Sequence, residues 1–98
     1  MYMRIHEGPG GKVVAVCDKE LIGKVLEDEK ICMDLEKYRS FYVGEHVGKN
    51  EVENALATFT SANLVGQKSV DIALSLGLAN KDNIMYINET PYIQIYKI

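Results

Sequence analysis

The 98 residues carry 11 basic and 14 acidic side chains, a formal net charge of −3, with 47% hydrophobic and 26% charged residues. That length suits one core, a single α+β domain over 1–98, and the balance excludes a disordered tail. The charges are interleaved, which excludes the long basic footprint of a non-specific nucleic-acid binder, and no apolar run approaches the roughly 20 residues that cross a bilayer.

Two cysteines, Cys17 and Cys32, and no charged-then-apolar leader predict a reducing cytoplasm and no membrane partner. In chain order, Tyr2–His6 and Val13–Cys17 flank Gly8-Pro9-Gly10-Gly11 and read as a hairpin, because glycines supply the positive φ of a tight reversal. The second strand is apolar on both faces, as a central strand covered on two sides would be. Asp18 stands at the N-cap position of a short helical turn that Gly23 stops. Ile31, Met33 and Leu35 predict one face of a further strand, and residues 36–48 read as irregular around a short strand.

Asn50, with Glu53 three residues on, resembles a capping box, and Val52, Ala55, Leu56 and Phe59 form one helical stripe. A second helix is expected through Leu64, Val65, Val70, Ala73 and Leu74 to Gly77, packed on the first as a hairpin. After a polar turn at 80–83, Ile84–Ile87 and Tyr92–Ile98 read as two strands joined around Asn88-Glu89-Thr90-Pro91. The fold class is therefore α+β, an antiparallel or mixed sheet of four to five strands with a helix pair packed on one face.

Several stretches together resemble the archaeal family known as domain of unknown function 424. They are Val14–Asp18 with Glu20–Lys24, Phe41-Tyr42 with Gly44-Glu45, and Ser61–Gly66, continuing through Val70, Ala73, Gly77-Leu78, Pro91 and Gln94. The resemblance implies a compact cytoplasmic archaeal domain of about this length, and it implies no catalytic residues.

Candidate sites rest on the residues alone. Cys17 ends a strand ahead of a helical turn, the place of a thiolate nucleophile with His6 or His46 as base, but Asp18 beside it opposes ionisation and a free cysteine is most often core. Cys17, Cys32, His6 and His46 lack short-range ligand spacing, so no metal is predicted, and no phosphate loop or dinucleotide fingerprint implies a cofactor. Thr60, Asn63 and Gln67 would share a polar helix edge, with Gly66 in the same turn predicting close approach by another element or, as the alternative, by a ligand or partner. Tyr2, Arg4 and His6 share one face of the first strand, and Tyr92, Gln94 and Tyr96 one face of the last. Were those strands neighbours, the six would make a platform for unpaired RNA bases. The leading expectation is a binding or accessory module for RNA, a ribonucleoprotein or a protein partner. The alternatives are a small Cys17 enzyme and a structural subunit of a complex.

Overall fold

The computed structural model describes residues 1–97. The predicted hairpin is present: β1 (Tyr2–Gly8) and β2 (Gly11–Cys17) run antiparallel with Ile5 opposite Val14. β3 (Val25–Glu27) and β4 (Cys32–Asp34) form a separate two-stranded ribbon. There follow α1 (Arg39–Tyr42), β5 (Glu45–His46), α2 (Lys49–Ala55), β6 (Ser61–Val65), α3 (Gln67–Ser75), β7 (Met85–Ile87) and β8 (Thr90–Tyr96). The main sheet has six strands in the order β5-β1-β2-β6-β8-β7, and it is mixed because β2 and β6 run parallel.

Three expectations need correction. The sheet is larger than four to five strands, because Ser61–Val65 is a central strand and not the start of a helix. Ala62 and Leu64 point into the core on one side while Ser61 and Asn63 turn to the other, a period of two that a helix does not have. The helices α2 and α3 do pack on the same face, but this strand lies between them in the chain, so they are not a helical hairpin. Finally, α2 is capped at Gly48, whose N–H donates to Glu51 Oε2 at 2.7 Å, and not by Asn50 with Glu53. The expected end of the last strand at Ile98 lies outside the described residues.

The sheet separates two apolar clusters. On one face α2, the turn that follows it and α3 bring Val52, Leu56, Phe59, Val70, Ile72 and Ala73 against Val14, Val16, Leu64 and Ile93. The expected helical stripe ends at Ala55, with Leu56 as its cap and Phe59 beyond it. On the other, Leu35 and Tyr42 pack with Ile87 on Ala15, Cys17, Val65 and Tyr92. Residues 14–17 of β2 are fully buried, as expected of a strand covered on both sides.

The start of α3 is fixed from far away in sequence. Asp18, just past β2 and only 2% exposed, does not cap the 3-10 turn that follows it at Lys19–Leu21. Its carboxylate instead accepts from the N–H groups of Lys68 (3.0 Å) and Ser69 (2.9 Å) and from Ser69 Oγ (2.7 Å). The two N–H groups are otherwise unpaired donors of the first helical turn. Gly66 makes the approach possible: its φ is +104°, and a Cβ there would collide with the Asp18 side chain. The predicted close approach to Gly66 is thus real, although Gly66 precedes the helix and is not inside it.

Replacing Asp18 with Ala leaves the two buried donors of Ser69 and the part-buried N–H of Lys68 without their acceptor and is expected to cost about 2–4 kcal/mol. Gly66→Ala should cost about 2 kcal/mol or more through steric overlap at a positive φ. Urea unfolding monitored by circular dichroism reads both, and losses below about 0.5 kcal/mol, the usual range for a neutral surface change, would refute the coupling.

Candidate functional site: a groove on the open half of the sheet

Strand register places the predicted sheet-face residues in three transverse rows. Tyr2, Cys17, Val65 and Tyr92 form one, Arg4, Ala15, Asn63 and Gln94 the next, and His6, Val13, Ser61 and Tyr96 the third. The six expected residues therefore do lie on one face. Their strands are not neighbours, however, because β2 and β6 intervene, and three strand spacings put Arg4 about 14 Å from Gln94.

The β1 half of this face is occupied by α1. A four-residue helix cannot pair its own terminal carbonyls, so the sheet supplies donors. Arg4 Nη1 donates to Ser40 O at 2.6 Å, and His6 Nε2 lies 2.9 Å from Phe41 O. A carbonyl only accepts, so His6 carries its proton on Nε2. The His6 ring also stacks on Phe41 with centroids 4.7 Å apart. Tyr2 tilts against His46 at 5.3 Å, and Tyr92 is buried in the core under the ribbon. Arg4 and His6 are spent on holding a helix.

The β6–β8 half stays open and forms the floor of a groove of about 330 Å³. Asn63 and Gln94, directly opposed on adjacent strands, provide its polar floor. Tyr38, Phe41 and Tyr42 wall it, with Met33, Leu35 and Asp34 from the ribbon. Asn63 is half-buried and Gln94 exposed; no buried side-chain N or O atom among the described residues lacks a partner, so both carboxamides, which bond to no other described residue, are open to solvent. Tyr38 is 55% exposed with Lys37 Nζ 5.5 Å from its ring centroid, and Tyr96, 69% exposed, follows Gln94 on the same face of β8. Flat rings beside unpartnered amides suit a planar ligand with hydrogen-bonding edges. Neither Tyr38 nor Asp34 stands out in the sequence as a site residue. The only signal was the aromatic spacing of Tyr38, Phe41 and Tyr42 within a charged stretch.

The proposed polar helix edge does not form. Thr60 precedes β6 and accepts from Lys12 N at 3.0 Å, Asn63 faces the groove, and Gln67 opens α3 and donates to Asp71 at 2.7 Å. Among the described residues, no three of His, Cys, Asp and Glu converge as a metal would need. Cys17 is wholly buried, and its Sγ donates to Asp18 O at 3.4 Å. Burial above all, then the charges of Asp18 and Glu20, push its thiol up to about 12. The two histidines are engaged elsewhere, His6 on α1 and His46 on Tyr2.

A thiol held protonated by the fold makes stability fall with pH. Above the ordinary thiol value of 9.0 the unfolded chain loses this proton while the folded one keeps it, until about 12. Folding stability should drop by about 1 kcal/mol between pH 8 and pH 10 from this group, a slope that Cys17→Ala removes relative to its own value at pH 8. Urea titrations of both proteins check it, and parallel pH curves would contradict it. In the folded protein a thiol reagent should modify exposed Cys32 and spare Cys17.

No curated protein matches the sequence. Among solved structures, the fold is similar to that of an uncharacterized conserved protein from Methanopyrus kandleri. The TM-score is 0.80 at 22% identity, covering 97% of this chain and 89% of that one, a likeness of fold alone. The family model described as "Protein of unknown function (DUF424)" matches residues 6–98, nearly the full length, and the chain belongs to that family.

Proposed function

We propose that this protein is a non-catalytic binding module that takes an unpaired RNA base into the groove above β6 and β8, and so docks on RNA or a ribonucleoprotein. The observation that carries the reading is the opposed pair Asn63 and Gln94, solvent-open amides that line the same groove as the exposed ring of Tyr38. Bases stack on aromatic rings in a sequence-tolerant way, and carboxamides offer both a donor and an acceptor to a base edge. Tyr96 offers a second ring one step along β8, about 7 Å from Gln94 at ordinary strand rise. Lys37 at the Tyr38 ring supplies a cation for the attached phosphate.

With a net charge of −3, such binding depends on base contacts more than on phosphate attraction, so it favours single strands over duplex. The free, exposed Cys32 suits a reducing cytoplasm as the place of action.

Fluorescence anisotropy with a labelled mixed-sequence RNA octamer tests the reading. Tyr38→Ala should weaken binding about tenfold, the worth of one stacked base. Joint replacement of Asn63 and Gln94 by alanine should weaken it further, and Arg4→Ala should act more mildly by loosening α1. If the tyrosine variant and the double amide variant bind as the parent does, the groove is not the site.

A further inference from the structure

The walls of the groove differ in what hydrogen-bonding sense they tolerate. Asn63 and Gln94 are ambivalent, because a carboxamide turned over exchanges its donor for its acceptor. Asp34, on β4 at the rim, is not: a carboxylate accepts and never donates. Its Oδ1 is already filled by the N–H groups of Glu36 (3.0 Å) and Lys37 (2.8 Å), a turn that fixes the side chain at the foot of Tyr38. Its Oδ2 has no partner among the described residues.

We infer that the groove selects an unpaired base bearing an exocyclic amino group, and that Asp34 is the residue that imposes this choice. The inference rests on the base-binding reading of the same groove. An amino group such as N4 of cytosine or N6 of adenine donates to Oδ2, whereas in the same pose the carbonyl O4 of uracil brings a lone pair against Oδ2. Uracil can offer its N3–H there only by shifting along its edge and off the pose that the amino-bearing base takes. The two amides then adjust to the remaining edge of whichever base the carboxylate admits. Lys37, whose N–H holds Asp34 Oδ1, places its ammonium on the same turn and offsets the repulsion between the carboxylate and the RNA backbone.

Cytosine and uracil are the matched probes, since they differ in this edge and share their ring size. Octamers of cytidylate and uridylate with the same label are titrated against the full chain by fluorescence anisotropy. The cytidylate octamer should bind about fivefold or more tighter, the lower range for one discriminating polar contact to a base in a partly open site. Asp34→Asn keeps an oxygen for the N–H groups of Glu36 and Lys37 and turns the other position into a donor. Its ratio should fall to near unity or invert, even if the lost negative charge tightens both octamers.

Equal binding of the two octamers by the parent protein would overturn the selection while leaving base binding intact, and this comparison needs no variant to fold. A ratio unchanged in an Asp34→Asn protein with a native melting curve would remove Asp34 from the role. Failure of the folded parent to bind either octamer would overturn the base-binding reading itself, and the inference with it.

Discussion

A buried carboxylate holds the two halves of the chain in register. Asp18 leaves the end of β2, donates its own N–H to Val65 O at 3.0 Å, and sends its side chain onto the first turn of α3. Gly66 N–H in turn reaches Pro91 O at 2.8 Å. Three strand ends, those of β2, β6 and β8, are therefore tied around one point, between segments some 50 residues apart in sequence. Long-range closure of this kind carries an entropic cost that a single surface contact could not offset. A carboxylate with three short donors, itself only 2% exposed, is strong enough to help, and it would be costly to leave unpaired.

That closure determines what the sheet displays. Side chains alternate between faces, so a slip of one residue between β2 and β6 would send Ala62 and Leu64 away from α2 and α3 and bring Ser61 and Asn63 under them. With register fixed, the polar members of β6 and β8 fall on the face that α1 and the ribbon only partly cover. The same face is thus divided. Over β1, Arg4 and His6 satisfy the carbonyls of a helix too short to stand alone, and over β8 the amides keep their hydrogen-bonding capacity. Cys17, lying between the two regions and beneath Tyr42, is filled in by core on every side.

Much of this was legible where the pattern was local. The opening hairpin follows from glycines between two β-forming runs, and the face shared by Tyr92, Gln94 and Tyr96 follows from the period of a strand. Strand order was not legible, because the parallel insertion of β6 beside β2 depends on contacts between distant segments. Ser61–Val65 alternates correctly, yet five residues are too few to outweigh the apolar positions at Val70 and Ala73 that continue it as a helix. Asp18 has the chemistry of a cap, and sequence order assigns it to the nearest turn, whereas its donors belong to α3. Tyr38 and Asp34 stand in stretches whose local pattern is weak, and only the packing of α1 and the ribbon over the sheet brings them to Asn63 and Gln94.

The division of the face also divides the energetics of recognition. In a groove open to solvent, a hydrogen bond to a ligand replaces one to water, so its net gain is small and its omission is what carries a penalty. Stacking on Tyr38 removes flat apolar surface from water whichever base is present, and so contributes affinity without discrimination. Discrimination must then come from groups that cannot reverse their polarity, and among the residues lining the groove Asp34 is the one whose polar side chain only accepts. Its Oδ1 is held by two backbone donors and the wall behind it by Arg4 and His6, so neither can swing aside to accommodate the wrong edge. A floor built on paired strands and a wall buttressed from the neighbouring half of the sheet make a small groove rigid enough for one fixed acceptor to matter.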